Sequence, residues 1–378
     1  MTHPNHPQAK PYVETLHPYV PGRPMADVMR EYGLSSVAKI ASNENPLGAP
    51  LAARKAIEAS LAEMHIYPDN DGLELTKALA TKHGVDAEQI VLSAGSSHLL
   101  ELAARAYAGE GDEIIYPEYG FLCYPIFTKV VGATGVAAKE QNYTADPKAI
   151  LSHITERTKV IFLANPNNPT GTMLDEATIR AFLDKVPPHI LVVLDEAYTE
   201  YALAEEAGFD GIRLVKDYAN LVVCRTFSKV YGLAALRVGY GVAQPEVAHV
   251  LHKLRPPFSL STPALAAATA ALGAADHIEK TVAHNKAEKD RLTKAYKELG
   301  LLACESACNF LLLDISATHK TPQELFMFMQ QNGVIVRPVE VYGLLHHLRI
   351  SIGSETENNQ ALSLFKHAVE NGEHTLVG

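Results

Sequence analysis

The stretch ILVVLDEAY, residues 190–198, decides the predicted fold. Its first five residues are apolar on both faces of an extended chain, which is typical of a parallel strand covered by helices on each side. Short runs of the same kind recur through the middle of the chain, so we predict an α/β fold with a largely parallel sheet. The predicted strands are residues 90–93, 113–116, 159–165, 190–196, 221–227 and 238–243.

Helices and a smaller C-terminal unit complete this prediction. Residues 175–186 have apolar side chains at helical spacing after Asp175, which is a candidate N-cap. The C-terminal part predicts a smaller α+β unit, with strands near residues 309–315, 333–338 and 348–352 and helices from residues 322 and 355. We divide the chain into an N-terminal arm with part of the small domain, a large domain and a small C-terminal domain, at residues 1–45, 46–270 and 271–378.

Composition and charge exclude several classes of protein. The chain of 378 residues carries 33 Lys and Arg against 43 Asp and Glu, and its scattered basic residues predict no nucleic-acid partner. We find no apolar stretch long enough to span a bilayer and no signal peptide, so we expect no membrane partner. The four cysteines form no CxxC pair and no zinc ligand set, so we expect reduced thiols, no metal site and a cytoplasmic protein.

Polar segments follow several predicted strands, at the edge where open α/β sheets bind ligands. In SAGSSHLL, residues 93–100, Gly95 makes a turn and Ser96 and Ser97 begin a helix, which suits an anion cradle or a plain N-cap. In NPNNPTG, residues 165–171, a tight turn leaves Asn168 as an outward amide donor, although an ordinary turn explains this segment equally well.

The two remaining segments carry charge. Asp195 ends a very apolar strand, where a carboxylate is costly unless it meets a cation, either a protonated ring nitrogen or a lysine or arginine of the protein. Lys229 follows another buried strand between Thr226 and Ser228, with Arg237 eight residues later. A desolvated lysine has a lowered pKa and acts as a nucleophile, and the neighbouring hydroxyls and guanidinium suit a phosphate.

Together the four segments describe one ligand, with a phosphate, an aromatic ring with a basic nitrogen, a phenolic oxygen and an aldehyde. Their order and spacing, NPNNPTG, then DEAY, then SK with an arginine eight residues later, resemble the fold-type I pyridoxal-phosphate-dependent aminotransferases of class II. The resemblance implies pyridoxal 5′-phosphate as the cofactor. It also implies a large domain with a mostly parallel seven-stranded sheet between helices and a smaller α+β domain.

By this resemblance, Lys229 is the Schiff-base lysine and then the general base and acid that moves a proton between the substrate Cα and the cofactor C4′. Asp195 pairs with the pyridinium nitrogen, and Asn168 and Tyr198 bond the 3′-oxygen of the ring. Tyr119 stacks on the ring face, unless it is a core aromatic. The residues implied to hold the phosphate are Ser96, Ser97, Thr226, Ser228 and Arg237.

The resemblance also implies a homodimer with shared active sites. Tyr67, in YPDNDG, is similar to the tyrosine that reaches the phosphate of the neighbouring subunit. Arg349, in LRISIG, matches the arginine that clamps a carboxylate in bidentate fashion, the alternative being a surface ion pair.

Within this superfamily the chain is most similar to the histidinol-phosphate aminotransferases. The matching segments are LHPYVPGRP, IASNENPLG, YPDNDG, GVIVRPV and LRISIGSETENN, at residues 16–24, 40–48, 67–72, 333–339 and 348–359. The family reaction passes an amino group from glutamate to imidazole-acetol phosphate in histidine biosynthesis, giving histidinol phosphate and 2-oxoglutarate. The resemblance implies that Arg349 takes the α-carboxylate of glutamate and Arg337 its distal carboxylate, and that one or both arginines meet the substrate phosphate. It also implies that Tyr19 of the arm closes the site from the neighbouring subunit.

Two features depart from that pattern. Ser97 and His98 stand where the family usually has an acidic pair, and GFLCYP after Tyr119 resembles a branch that accepts aromatic amino acids. The alternatives are therefore an aromatic amino-acid aminotransferase and a threonine-phosphate decarboxylase, which uses the same cofactor. A non-catalytic regulator is a third alternative, but it requires a DNA-binding module that we do not find in the sequence.

Overall fold

The structure, a computed structural model, describes residues 7–16 and 22–372. Its strands are β1 (Ala38–Lys39), β2 (Ile90–Ser93), β3 (Glu113–Pro117), β4 (Thr134–Ala138), β5 (Glu140–Gln141), β6 (Thr144–Ala145), β7 (Thr158–Ala164), β8 (Leu191–Asp195), β9 (Leu221–Thr226), β10 (Gly239–Ala243), β11 (Phe310–Asp314), β12 (Val334–Ile335), β13 (Arg337–Pro338) and β14 (His347–Ser351).

Its α-helices alternate with these strands. They are α1 (Pro11–Glu14), α2 (Met25–Tyr32), α3 (Leu51–Ser60), α4 (Leu73–His83), α5 (Ser96–Tyr107), α6 (Cys123–Val130), α7 (Pro147–Ser152), α8 (Glu176–Leu183), α9 (Thr199–Ala202), α10 (Pro245–Leu254), α11 (Thr262–Leu272), α12 (Ala275–Glu298), α13 (Pro322–Gln331) and α14 (Glu355–Gly372). No helix in the described ranges combines the length and apolarity that crossing a bilayer requires.

A seven-stranded sheet is the centre of the fold, with the strand order β2-β10-β9-β8-β7-β3-β4. Only β10 runs antiparallel to its neighbours, so the predicted mostly parallel α/β sheet is confirmed. Because the other strands share one direction, β2, β7, β8 and β9 end at the same edge. The segment that precedes β10 reaches that edge too, and all four polar segments therefore meet there.

The central strands are apolar on both faces because helices cover both faces of the sheet. Along β8, Val192 and Leu194 join the hydrophobic cluster on one face of the sheet. Leu191 and Val193 point the other way and join a second buried cluster, which includes residues of α5 and α10. Each face is thus covered by helices, which is why these strands show no polar alternation.

All six predicted strands of the large sheet are present, with ends that differ by at most one residue. The seventh strand, β4, lies at the sheet edge and is largely exposed, so its small residues TGVAA carried no apolar signal. Helix α8 begins as predicted, with Asp175 accepting a hydrogen bond from the Thr178 amide at 2.8 Å. It ends at Leu183 rather than at Val186, because Pro187 disfavours a helical conformation at the residue before it.

A second, three-stranded sheet has the order β11-β14-β13 and lies in the C-terminal part. The strand predicted at residues 333–338 is split, since β13 joins this sheet and β12 pairs in parallel with β1. The N-terminal segment is thereby joined to the C-terminal part, and Ile40 belongs to the same hydrophobic cluster as Leu311 and Ile350. The domain limits at residues 45/46 and 270/271 stay a prediction.

The buried side chains of the central strands are expected to dominate stability. Leu163, on β7, is 1 % exposed within the large cluster, so Leu163→Ala should lower the free energy of unfolding by about 2–5 kcal/mol. Leu203→Ala is the matched control, because Leu203 is 47 % exposed and should change stability by less than about 0.5 kcal/mol. Urea unfolding of both variants measures the difference, and equal losses would contradict this description of the core.

Candidate active site

A cavity opens at the edge of the sheet where β7, β8 and β9 end. It is lined by residues from all four polar segments and from the C-terminal sheet. The predicted site residues on its wall are Ser96, Ser97, Asn168, Asp195, Tyr198, Thr226, Ser228, Lys229, Arg237, Arg337 and Arg349. The structure thus brings together all but three of the residues singled out from the sequence.

One end of the cavity is built for an anion. Helix α5 begins at Ser96 after Gly95, whose φ of +85° favours glycine. The Arg237 guanidinium packs so closely on Gly95 that a Cβ there would lie 2.4 Å from Arg237 Nη2. Arg237 also donates to Ser228 Oγ at 3.0 Å, and Thr226 Oγ1 donates to the same atom at 3.0 Å. A helix N-terminus, hydroxyl groups and a guanidinium therefore converge, as phosphate binding requires.

Asp195 lies at the end of β8 with only 5 % of its surface exposed. Its Oδ2 accepts a hydrogen bond from the Tyr124 hydroxyl at 3.2 Å, whereas its buried Oδ1 has no hydrogen-bond partner among the described residues. Burial raises the pKa of this carboxyl to about 6, although the Tyr124 hydroxyl opposes the shift. Within the described ranges, Asp195 forms no salt bridge with a lysine or arginine. A ligand that carries a positive charge could therefore pair with this carboxylate.

Lys229 stands half-buried on the cavity wall and donates from Nζ to the backbone oxygen of Ser42 at 3.1 Å. Burial lowers the pKa of its ammonium group to about 8, and the positive charge of Arg349 is the next largest cause. The neutral amine is therefore much more populated near neutral pH than in an ordinary lysine. A neutral amine is the form that attacks an aldehyde.

Tyr198 is buried beside this lysine, with its ring 5.6 Å from Lys229 Nζ and packed edge-on against Phe310 at 5.2 Å. Its hydroxyl oxygen accepts a hydrogen bond from Asn43 Nδ2 at 2.9 Å. Burial raises the pKa of the phenol, so it stays protonated and can donate a hydrogen bond to a ligand oxygen.

Asn168 lies in the turn that bears two cis peptide bonds, Asn165–Pro166 and Asn168–Pro169. Its Oδ1 accepts a hydrogen bond from Arg349 Nη1, which leaves its amide NH₂ group as a donor towards the cavity. Arg349 also donates from Nη2 to the Ala41 oxygen at 2.8 Å and lies over the ring of Phe310 at 5.2 Å. Because Arg349 is 6 % exposed, the alternative of a surface ion pair does not hold.

A family model described as aminotransferase class I and II matches residues 35–365 of this chain. The chain belongs to that family.

Curated relatives support the assignment along nearly the whole chain. Histidinol-phosphate aminotransferase 1 of Mannheimia succiniciproducens is 45 % identical over 93 % of this chain and 95 % of its own length. Histidinol-phosphate aminotransferase 1 of Cupriavidus pinatubonensis is 43 % identical over 95 % of this chain and 96 % of its own. The crystal structure of histidinol-phosphate aminotransferase from Sinorhizobium meliloti in complex with pyridoxal-5′-phosphate superposes with a TM-score of 0.87 at 25 % identity, covering 97 % of this chain and 99 % of the other.

Two of the described residues that were predicted for the site of this aminotransferase, Tyr119 and Tyr67, are not on the cavity wall. Tyr119 packs instead near Tyr143, with ring centroids 6.3 Å apart, and Phe121 lines the cavity in its place. Tyr67 is 79 % exposed and stacks on Phe258, with ring centroids 4.7 Å apart. Tyr19 lies outside the described residues.

Phe121 is a second candidate for the ring contact predicted for Tyr119, because it lines the cavity and Tyr119 does not. Both aromatics lie in PEYGFLCYP, and the sequence alone offers no reason to prefer the second. The missing information is that Tyr124 reaches Asp195 from the first turn of α6. The aromatic three residues before Tyr124 is then the one that faces the cavity.

His98 has a structural role next to the anion site of the aminotransferase. Its Nδ1 accepts a hydrogen bond from the Ala94 amide at 3.2 Å, so this ring nitrogen is unprotonated in the contact. Burial lowers the pKa of His98, which favours the neutral ring. Ser97 lines the cavity, so its hydroxyl group can contribute to anion binding although Ser97 and His98 replace the usual acidic pair.

The positive charge of Arg349 is predicted to hold down the pKa of Lys229, because a nearby cation disfavours a second one. Arg349→Gln should therefore raise the pH midpoint of Lys229 acetylation above about 8. The measurement is quantitative mass spectrometry of the Lys229 peptide after brief labelling of ligand-free protein at a series of pH values. Arg213→Gln, at an exposed position, is the control and should leave the midpoint in place. An unchanged midpoint in Arg349→Gln would show that the charge of Arg349 does not contribute to this pKa.

Proposed function

We propose that this chain is a pyridoxal-phosphate-dependent histidinol-phosphate aminotransferase. It moves an amino group between glutamate and imidazole-acetol phosphate, and so makes histidinol phosphate and 2-oxoglutarate in histidine biosynthesis. The observation that carries the proposal is the meeting of Lys229, Asp195 and Arg349 at one cavity, in a chain 45 % identical to a curated enzyme of that name.

The residues of the cavity fit the cofactor at both of its ends. The unpartnered Oδ1 of Asp195 is the partner that a protonated ring nitrogen needs, and the Arg237 and Ser228 side chains beside α5 suit the phosphate. When bound, pyridoxal 5′-phosphate supplies an aldehyde that carries the amino group and a ring that stabilises negative charge at the substrate Cα.

Different residues of the cavity would bind the different parts of the cofactor. Ser96, Ser97, Thr226, Ser228 and Arg237 bind the phosphate. Asp195 would pair with the ring nitrogen, Asn168 and Tyr198 would donate to the ring oxygen, and Phe121 would pack on the ring, since all four residues line the cavity. Tyr124 donates to Asp195 Oδ2, which would keep the carboxylate oriented and leave Oδ1 for the ring nitrogen.

Lys229 is the group that moves the proton. Its Nζ lies at the cavity wall and is easily deprotonated, since its pKa is lowered to about 8. As a neutral amine, it would take the proton from the substrate Cα and deliver it to the cofactor C4′.

Two arginines supply the anion recognition that the substrates require. Histidinol phosphate has a phosphate ester and no carboxylate, whereas glutamate has two carboxylates, so one site must accept both kinds of anion. Arg349 uses two of its N–H groups on Asn168 and Ala41, and its buried Nε has no hydrogen-bond partner among the described residues. Arg337 lines the same cavity, so Arg349 can take the α-carboxylate and Arg337 the distal anion.

The proposal includes a cytoplasmic homodimer in which each cavity is completed by the partner. Tyr67 and Phe258 form an exposed aromatic pair away from the cavity of their own chain, which suits a contact with a second copy. The four cysteines are free thiols, as is ordinary in a reducing compartment.

Steady-state kinetics with 2-oxoglutarate as acceptor tests the substrate. We expect kcat/KM for histidinol phosphate to exceed those for phenylalanine and tyrosine by at least about 100-fold. Those amino acids have no phosphate, so they leave the groups that bind the substrate phosphate unpaired.

Lys229→Ala should lower kcat at least about 100-fold and lose the covalently held yellow cofactor. Lys253→Ala, at an exposed position on a helix, is the control and should do neither.

Other outcomes assign a different reaction to the same scaffold. Turnover of an aromatic amino acid with none of histidinol phosphate would identify an aromatic aminotransferase. Release of CO₂ from threonine phosphate would identify the decarboxylase. Either result would refute the substrate proposal and leave the family assignment in place.

Subunit mixing tests the role of Tyr67. Tyr67→Ala and Lys229→Ala are each expected to be poorly active when assayed at limiting cofactor. A hybrid dimer of the two should regain activity, because the cavity with an intact Lys229 receives an intact Tyr67 from the other chain. If Tyr67 served its own chain instead, both cavities of the hybrid would stay defective and mixing would recover nothing.

A further inference from the structure

Three consecutive residues, Ala41, Ser42 and Asn43, each contact a different side chain of the proposed site. The Ala41 oxygen accepts from Arg349 Nη2 at 2.8 Å, and the Ser42 oxygen accepts from Lys229 Nζ at 3.1 Å. Asn43 donates from Nδ2 to the Tyr198 hydroxyl oxygen at 2.9 Å. Asn43 alone among the three makes its contact through a side chain, so its residue type matters.

The segment is fixed to the strand that carries Arg349. Ser351, two residues beyond Arg349 on β14, donates its amide to the Ile40 oxygen at 2.8 Å. The Asn43 amide donates to Ser351 Oγ at 2.7 Å, and the Ser351 hydroxyl donates back to Asn43 Oδ1 at 2.9 Å. This reciprocal pair sets the orientation of the Asn43 side chain, because Oδ1 must face Ser351 and Nδ2 must therefore face Tyr198.

The backbone at Asn43 explains why asparagine stands there. Its φ is +56°, in the left-handed region that asparagine and glycine adopt more readily than other residues. The residue is 1 % exposed, and Asn309 Nδ2 holds its backbone oxygen at 3.0 Å. An amide donor is thus delivered to the buried phenol from a turn that few residue types can make.

A hydrogen bond received by a phenol oxygen directs the proton of the phenol elsewhere. Because Asn43 donates to the Tyr198 oxygen, the hydroxyl proton of Tyr198 is directed to another acceptor. Under the proposed function, that acceptor is the ring oxygen of the cofactor. Donation into the phenol oxygen also makes the phenol a stronger donor, since bonds in a chain polarise one another.

We propose that Asn43 is a positioning residue for Tyr198, which orients the phenol so that its proton faces the cofactor ring oxygen and stabilises the negative charge there. This inference rests on the proposed cofactor, but not on the identity of the substrate. By stabilising that negative charge, Asn43 and Tyr198 together lower the pKa of the linkage between Lys229 and the cofactor. The yellow absorbance of the bound cofactor therefore titrates at a lower pH than it would without Asn43.

The test is an absorbance titration of the cofactor-loaded protein without substrate. Asn43→Gly removes the amide donor and adopts a φ of +56° without strain. It should raise the titration midpoint by about 0.3 to 1 pH unit, the size of one lost hydrogen bond. Asn43→Asp has the same size and keeps an acceptor for Ser351, and it should raise the midpoint as well. It serves as the second variant should the glycine variant fold poorly, which thermal melting of the cofactor-free proteins reveals.

A double variant separates positioning from a general structural effect. Tyr198→Phe alone should raise the midpoint, and adding Asn43→Gly to it should change nothing further, because the phenol through which Asn43 acts is gone. A shift of equal size in both backgrounds would overturn the proposal, and so would an unshifted midpoint in Asn43→Gly. Wild-type protein that takes up no yellow cofactor would instead refute the proposed function, so the two failures are distinguishable.

Discussion

The site depends on a carboxylate buried at the end of an apolar strand. Burial of an unpaired charge is unfavourable, and Asp195 has one oxygen bonded to Tyr124 and another without a partner among the described residues. Burial raises the pKa of the Asp195 carboxyl to about 6, because it disfavours the negative charge. For the same reason it lowers the pKa of the Lys229 ammonium group to about 8. A ligand with a basic ring nitrogen and an aldehyde relieves both conditions at once, which is why these two residues belong to one site.

The cavity and the chain as a whole have opposite electrostatic character. The chain carries a net charge of −10, yet Lys229, Arg237, Arg337 and Arg349 line one cavity. Such clustering is unfavourable for the protein alone and favourable when an anion binds, so the cavity selects phosphates and carboxylates. Asp195 is the one acidic side chain that the site prediction placed among these cations. Its carboxylate, at the end of β8, suits a positively charged ring nitrogen rather than an anion.

Much of the fold and of the cavity could be predicted, because local patterns carry the information. Strands apolar on both faces predicted the central sheet, and the polar segments after them lie at one edge since parallel strands end together. Strand β4 carried no such pattern, because an edge strand need not be apolar. Asn43 and Tyr124 were missed because their roles depend on contacts with Tyr198 and Asp195, which are 155 and 71 residues away in sequence. Phe121 was passed over for Tyr119 for the same reason.

Under the proposed function, contacts across the cavity also connect substrate binding to proton transfer. The charge of Arg349 lowers the pKa of Lys229, and an anion bound to Arg349 compensates that charge. By Coulomb's law the pKa of Lys229 then rises, so the amine becomes a stronger base once an anionic substrate is in place. Without substrate, the lowered pKa increases the fraction of neutral amine, which is the form that reacts with an aldehyde. One arginine, held by Asn168 and the Ala41 oxygen, thus favours the nucleophile before the substrate binds and the base afterwards.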